Sequence, residues 1–278
     1  MKIFVLDRGF RRRSVVSPRW RRARPGLARP GALAAVFLAF AIGAARADVR
    51  VSFAADGGQP IIAYFARPKG PGPFPAVVLL HTCLGLPSNR TEMEASLVSA
   101  GYAALSVDDF STRGIKETCS VDFPQGISDA YGALAWLSRR LDIDSNRVAV
   151  FGASQGGDTA LSIATGHGAP PPGLAFRAAA AFYAPCANQN GASVQIPTLI
   201  VIGRADQVTP AADCEAFAGA QRPGKVTLAV LPNGPHGFYD PAFGSGRRIM
   251  GMVLGYDSKA AAAARIQLRA FLTRALRP

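Results

Sequence analysis

Short apolar runs that alternate with helix-like segments constrain the fold of this chain more than any other feature. Eight runs are apolar almost throughout: 49–53, 61–66, 76–80, 103–107, 148–151, 178–183, 198–202 and 227–231. Helical patterns lie between most of them, at about 89–100, 126–141, 154–165 and 210–220, and a last one covers 259–276. Such alternation is typical of a parallel sheet covered by helices on both faces. The first two runs flank Asp56-Gly57-Gly58 and predict a hairpin. We therefore expect one α/β domain over residues 48–278, built on a mostly parallel eight-stranded sheet.

Residues 1–47 have the three zones of a secretory signal peptide. They hold eleven of the 31 Lys and Arg residues and one of the 18 acids, so most of the net charge of +13 lies here. Residues 48–278 have no run of basic residues of the kind that binds nucleic acid. An apolar core over 31–45 precedes Ala45-Arg46-Ala47, a small-x-small cleavage site. We expect cleavage near Ala47 and a periplasmic or secreted chain without stable membrane insertion. The alternative is an uncleaved anchor, although the core is shorter than the roughly 20 residues that span a bilayer.

Export changes the interpretation of the four cysteines, all of which lie after the leader. An even number of cysteines in an oxidising compartment predicts disulfides, and four cysteines allow three connectivities. Buried free thiols are the alternative. The spacings are not the close pairs of a zinc site. The residues are Cys83, Cys119, Cys186 and Cys214.

The segment Gly152-Ala153-Ser154-Gln155-Gly156 fits the G-x-S-x-G motif directly between a predicted strand and a predicted helix. In such an elbow the chain reverses so tightly that side chains two residues before and after the serine would collide, and glycine avoids this. The turn exposes the hydroxyl at the N-terminal end of a helix, where backbone N–H groups can bind an oxyanion. A glycine-rich loop with a capping serine is the alternative, and the strand and helix on the correct sides argue against it.

Two further residues complete a nucleophile, acid and base in the chain order of α/β-hydrolases. Asp206 follows the run 198–202, and His236 follows the run 227–231. The carboxyl ends of parallel strands share one edge of a sheet, so both side chains can meet Ser154 there. Asp158 and Asp213 are less suitable acids because both lie within predicted helices. For the oxyanion hole we expect the backbone N–H groups of Gln155 and of Cys83, with Thr82 as the neighbouring candidate.

These motifs resemble the dienelactone hydrolase family of α/β-hydrolases. The resemblance extends over residues 48–278 and rests on HTCLGL, DDFSTRG, FGASQGG, GRADQVTP and NGPHGFYD. It implies an α/β-hydrolase fold, substrate-binding positions at Arg113 and Thr82, and disulfides Cys83–Cys119 and Cys186–Cys214. The founding enzymes carry cysteine at the elbow, where this chain has Ser154, and glutamate at the position of Thr82. A second family arginine falls on Asp240, so an anionic dienelactone is a poor substrate candidate.

The sequence therefore predicts an exported serine hydrolase that cleaves carboxylic esters or lactones of small molecules. Ser154, His236 and Asp206 would act through an acyl-enzyme, without a cofactor or a metal. One alternative is a peptidase or another acyl-transfer enzyme with the same triad. A second is a non-catalytic binding protein on the hydrolase scaffold. The sequence makes no prediction of the oligomeric state.

Overall fold

A computed structural model describes residues 48–55, 58–123 and 125–277, so the predictions for the leader and for the turn residues 56–57 lie outside it. Eight strands form one sheet in the spatial order β1-β2-β4-β3-β5-β6-β7-β8. They are β1 (Val49–Ala54), β2 (Pro60–Ala66), β3 (Phe74–Leu80), β4 (Ala103–Asp108), β5 (Ile143–Ala153), β6 (Ala178–Phe182), β7 (Thr198–Gly203) and β8 (Val226–Leu231). Strands β1 and β2 form the predicted antiparallel hairpin, and β2 pairs antiparallel with β4. All other neighbours in this sheet are parallel.

Five α-helices accompany the sheet within the described residues. They are α1 (Arg90–Ser99), α2 (Gln125–Ser138), α3 (Gln155–Ala164), α4 (Ala211–Gly219) and α5 (Ser258–Ala275). Helices α2 and α3 contribute to the apolar core on one face of the sheet, while α1 and α5 contribute to the core on the other. The central strands are buried on both faces, which explains their continuous apolar sequences. In the described part of the chain, no helix is both long and apolar enough to cross a membrane.

The predicted fold class is confirmed. Most helix and strand ends lie close to the expected positions, but β5 begins at Ile143, five residues before the predicted run. A short hairpin of β9 (Arg247–Ile249) and β10 (Met252–Leu254) outside the main sheet was not predicted, nor were the short 3-10 helices at Ser111–Arg113, Cys186–Gln189 and Pro241–Phe243. The parallel strands bring their carboxyl ends to one edge. Along that edge β3 leads to Cys83, β5 to Ser154, β7 to Asp206 and β8 to His236. This edge carries the candidate site.

Candidate active site

Ser154 occupies a strained turn between β5 and α3. Its backbone has φ 52° and ψ −117°, a conformation that residues with a side chain rarely adopt. The turn brings backbones together so closely that a side chain at Gly152 would collide with the carbonyl of Gly156. A Cβ atom on Gly156 would in turn lie 2.6 Å from the Leu80 carbonyl oxygen. The two glycines of the motif are therefore required by the geometry, as the sequence pattern indicated.

The structure brings Ser154, His236 and Asp206 together. The Ser154 Oγ atom lies 3.0 Å from His236 Nε2. On the other side of the ring, His236 Nδ1 lies 2.9 Å from Asp206 Oδ2. Because a carboxylate only accepts hydrogen bonds, the proton of the neutral imidazole sits on Nδ1, and the lone pair of Nε2 faces the hydroxyl. This is the tautomer that a general base next to a serine requires.

Asp206 is held by several donors in a buried position. Its side chain is 0% exposed, and that of His236 is 4% exposed. Oδ1 accepts the backbone N–H groups of Val208 and Thr209 at 2.9 and 2.8 Å. The Thr209 hydroxyl lies 2.9 Å from Oδ2 and 3.2 Å from His236 Nδ1. The buried carboxylate is thus fully hydrogen-bonded, which fixes its orientation toward the imidazole.

Sequence reasoning missed Thr209, which contacts Asp206 and His236, and Tyr183, which packs against His236. Thr209 lies three residues after Asp206, and its N–H completes an Asx-type turn, a pattern that is visible in the sequence. Tyr183 has φ 37° directly after β6, and its ring packs edge-on against His236 with centroids 5.0 Å apart. Burial raises the pKa of the Tyr183 hydroxyl well above its ordinary value, so it stays protonated. Its position at the end of a sheet strand was the signal available in the sequence.

A narrow cleft opens in front of Ser154. Its lining comes mainly from the segment after His236, including the unpredicted hairpin, and from the loop after β3. The lining residues are Thr82, Cys83, Leu84, Ser154, Tyr183, His236, Gly237, Phe243, Met252 and Leu254. The hairpin is fastened to the histidine loop, since the Gly255 N–H donates to the His236 carbonyl at 2.9 Å. The cleft therefore offers a mostly apolar surface to a molecule bound at the serine.

The two predicted oxyanion donors lie on different segments beside Ser154. Gln155 is the first residue of α3, so its N–H belongs to the unpaired first turn of a helix. Cys83 lies in the turn after β3. Its carbonyl accepts from the Thr118 N–H at 2.9 Å, and the Thr118 hydroxyl donates to Gln155 Oε1 at 2.8 Å. Residue Thr118 thereby links the two predicted donors.

The four cysteines form two disulfides, Cys83–Cys119 and Cys186–Cys214. This is the pairing that the family resemblance implied. The first joins the turn that carries Cys83 to the loop that carries Thr118. The second joins a short 3-10 helix after β6 to helix α4 in the core. Disulfides persist in oxidising compartments, so both bonds favour a location outside the cytoplasm.

Arg113 is engaged away from the cleft. Its two terminal nitrogens pair with both carboxylate oxygens of Asp129 at 2.7 and 2.9 Å, and one of them also donates to the Asp109 carbonyl. Burial raises the pKa of Asp129, and the Arg113 guanidinium offsets this rise only in part. Arg113 is not among the residues that line the cleft at Ser154, whereas Thr82 is. The substrate-binding role of both residues stays a prediction.

The side chains of Asp158, Asp240 and His167 form hydrogen bonds with residues other than the three catalytic candidates. Asp158 accepts hydrogen bonds from Asn188 and Gln189, both at 3.0 Å. The Asp240 carboxylate accepts hydrogen bonds from the backbone N–H and from the hydroxyl of Ser88. His167 is exposed and lies beside Thr165. Across the described ranges, no group of three or more His, Cys, Asp or Glu side chains has the geometry of a metal site.

Comparison of the sequence with known proteins identifies a family. Residues 61–276 match the sequence profile described as the dienelactone hydrolase family. The chain belongs to this family. It is accordingly a hydrolase that acts on ester bonds.

Two curated proteins are similar to this chain in sequence. The uncharacterized protein MT2364 of Mycobacterium tuberculosis is 30% identical over 204 residues, which cover 66% of this chain and 69% of that protein. Esterase FrsA of Salmonella paratyphi B is 31% identical over 122 residues, which cover 41% of this chain but only 27% of FrsA.

Solved structures share the fold at lower identity. A dienelactone hydrolase-like promiscuous phosphotriesterase, P91 from metagenomic libraries, is 24% identical with a TM-score of 0.67, over 84% of this chain and 100% of P91. A protein from Klebsiella pneumoniae described as a putative dienelactone hydrolase is 18% identical with a TM-score of 0.64, over 82% of this chain and 100% of that one. These likenesses concern the fold.

Proposed function

We propose that the chain is an exported serine hydrolase that cleaves carboxylic esters or lactones of small molecules through Ser154, His236 and Asp206. The observation that carries the proposal is the continuous hydrogen-bonded line from the Ser154 hydroxyl through both nitrogens of His236 to Asp206. Such a line, ending at a serine in a strained elbow, is the arrangement that activates a hydroxyl for acyl transfer.

In the first half of the reaction, Ser154 Oγ attacks the ester carbonyl carbon, and His236 Nε2 accepts the hydroxyl proton. The new positive charge on the imidazole is stabilised by Asp206, which the Val208 and Thr209 N–H groups hold in place. The N–H groups of Gln155 and Cys83 donate to the negative oxygen of the tetrahedral intermediate. Collapse of that intermediate breaks the C–O bond, and the leaving alkoxide takes the proton from His236.

In the second half, water attacks the acyl-enzyme with His236 again acting as the base, and the acid product leaves Ser154 free.

The surroundings of the site support an uncharged substrate. The cleft is lined mainly by apolar side chains, and Asp240 contributes to a small apolar cavity that shares Thr82 and Tyr183 with the cleft. Arg113 lies outside the lining of the cleft and is paired with Asp129, so it is not free to bind a substrate carboxylate.

Activity of the variant Ser154→Ala on a short p-nitrophenyl ester tests the catalytic proposal. We expect turnover and labelling by a fluorophosphonate probe to disappear, with an unchanged melting temperature. Full activity of folded Ser154→Ala protein would contradict the assignment.

Comparison of a p-nitrophenyl ester with a matched peptide p-nitroanilide separates an esterase from a peptidase. Failure of the folded wild-type protein to react with the probe would instead support a non-catalytic binding protein.

Export is the second part of the proposal, supported by the two disulfides and by the signal-peptide pattern of residues 1–47. Expression of the full chain in a bacterial host, followed by fractionation and mass spectrometry of the N-terminus, tests it. We expect a periplasmic or secreted protein that begins at or near Asp48. A cytoplasmic protein with reduced cysteines would contradict the proposal.

A further inference from the structure

The peptide group between Thr82 and Cys83 carries one of the two oxyanion donors named above. Its carbonyl oxygen accepts the Gly85 N–H at 3.0 Å and lies 2.7 Å from Nδ1 of His81. The bond is trans, so its C=O and N–H point in opposite directions. Contacts that hold the oxygen on the His81 side therefore turn the Cys83 N–H toward the opposite side, where Cys83 lines the cleft with Ser154.

The polar groups next to the Cys83 N–H in this turn are hydrogen-bonded to other groups of the protein. The Thr82 hydroxyl accepts the Leu84 N–H at 3.2 Å, and the Cys83 carbonyl accepts the Thr118 N–H at 2.9 Å. In the described part of the chain, the Cys83 N–H donates to no protein acceptor. The turn thus presents one unused donor at the cleft and ties its other groups down, which is the preorganisation that an oxyanion hole requires.

His81 contacts an acceptor through each of its ring nitrogens. Nδ1 faces the Thr82 carbonyl at 2.7 Å, and Nε2 lies 2.6 Å from Asp109 Oδ1, a close charge contact in which neither atom has hydrogen-bond geometry. The Thr82 carbonyl requires a proton on Nδ1, and the adjacent Asp109 carboxylate favours a second proton on Nε2, so the surroundings favour the imidazolium form. The side chains of His81 and Asp109 are 4% and 7% exposed, and the Phe110 ring packs edge-on against the imidazole.

The charges around His81 favour this cation. Burial is the largest influence and by itself lowers the pKa of His81. The contacts with Asp109 and with the Thr82 carbonyl, together with the charge of Asp108, outweigh it, and the pKa is raised. Asp129 also faces the ring, and its partner Arg113 is the opposing cation. The local charges are therefore predominantly acidic, and they favour the protonated form of His81.

We propose that His81 and Asp109 form a positioning pair that orients the Thr82–Cys83 peptide group, so that the Cys83 N–H meets the developing oxyanion. The inference deepens the proposed function and rests on it. Neither residue touches the reacting atoms. Asp109 holds the ring, the ring holds the Thr82 carbonyl, and the carbonyl sets the direction of the donor.

The first test compares two side chains at position 81 in an Asp109→Asn background, which avoids leaving a bare buried carboxylate. In His81→Asn the amide can still donate to the Thr82 carbonyl, whereas His81→Leu has no donor. We expect kcat on a p-nitrophenyl ester to fall by about tenfold or more in the Leu variant, toward the 10²–10³ loss typical of a missing oxyanion donor, with KM nearly unchanged. The Asn variant should keep kcat within a few-fold of the Asp109→Asn parent. His167→Asn is the matched control for an exposed histidine, with kcat unchanged.

The second test uses Asp109→Asn alone and measures kcat against pH. Removal of the carboxylate lowers the pKa of His81, so the loss of kcat on the alkaline side should begin at a lower pH than in the wild type. Proton NMR of the wild type should show the His81 ring proton in slow exchange at neutral pH, and Asp109→Asn should lose that signal. This arm decides the proposal if the Leu double variant fails to fold.

Equal kcat values for the Asn and Leu variants would overturn the proposal, as would an alkaline limb that does not move in Asp109→Asn. A loss confined to KM, or one that only follows a lower melting temperature, would also overturn it. Ser154→Ala in the same assay tests the proposed function separately. If folded Ser154→Ala retains activity, the esterase mechanism fails, while the NMR signal still reports whether the pair exists.

Discussion

Substitution Arg113→Met separates two roles for a residue that the family resemblance places at a substrate-binding position. In the structure the guanidinium forms a two-pronged pair with Asp129, whose side chain is 0% exposed, while that of Arg113 is 11% exposed. It also donates to the Asp109 carbonyl at 2.7 Å. Arg113 Nε also donates to Gln59 Oε1 at 3.3 Å. Methionine keeps much of the volume and removes all four hydrogen bonds, so a fully buried carboxylate is left without its cation.

The size of the effect follows from this burial. Breaking a buried pair by removing one partner costs about 3–5 kcal/mol, because the remaining charge is uncompensated. We expect the free energy of unfolding to fall by that amount at pH 8. Burial already raises the pKa of Asp129, and loss of Arg113 removes the effect that opposes this rise. The folded protein then binds a proton more readily than the unfolded chain. The penalty is therefore greatest above the folded-state pKa and diminishes as the pH falls toward the ordinary carboxyl range.

Urea unfolding at pH 8 and pH 5 measures both effects, and steady-state kinetics on a neutral and an anionic ester measure the catalytic role. The control is the double variant Arg113→Met with Asp129→Leu, which removes the orphaned charge and should recover most of the stability. The ratio of KM for the anionic ester to KM for the neutral ester should be the same in Arg113→Met as in the wild type. Near-wild-type stability of Arg113→Met, together with a raised KM for the anionic ester alone, would refute this reasoning and make Arg113 a substrate ligand.

Three further expectations concern the triad, the elbow and a disulfide. Asp206→Asn should lower kcat by about 10⁴, since the amide favours the wrong imidazole tautomer, and esterase assays at saturating substrate measure this. Gly152→Ala should give protein that is unfolded or inactive, because its methyl group meets the Gly156 backbone, and circular dichroism with an activity assay checks it. Cys186→Ala with Cys214→Ala should lower the free energy of unfolding by about 3.5 kcal/mol, the chain-entropy value for its separation of 28 residues, measured in urea.

The parallel core was predictable because each central strand is buried on both faces and therefore has an uninterrupted apolar sequence. The runs at 76–80 and 198–202 correspond to β3 (Phe74–Leu80) and β7 (Thr198–Gly203). The convergence of Ser154, Asp206 and His236 follows from the same fact, because parallel strands deliver the residues after them to one edge. Hairpin β9–β10 escaped prediction because its strands have three residues each, too few for a periodic pattern.

The residues that support the site were harder to predict, because their roles depend on contacts between loops of different strands. Arg113 and Asp129 lie 16 positions apart in the sequence, and His81 and Asp109 lie on the segments after β3 and β4. No periodicity relates such pairs. Parallel pairing of β3 with β4 nevertheless places their carboxyl ends side by side, so a histidine after one strand and an aspartate after its neighbour can be expected to meet. A known strand order would therefore extend prediction from the reacting residues to those that hold them, since each residue directly after a strand has its neighbours fixed by the sheet.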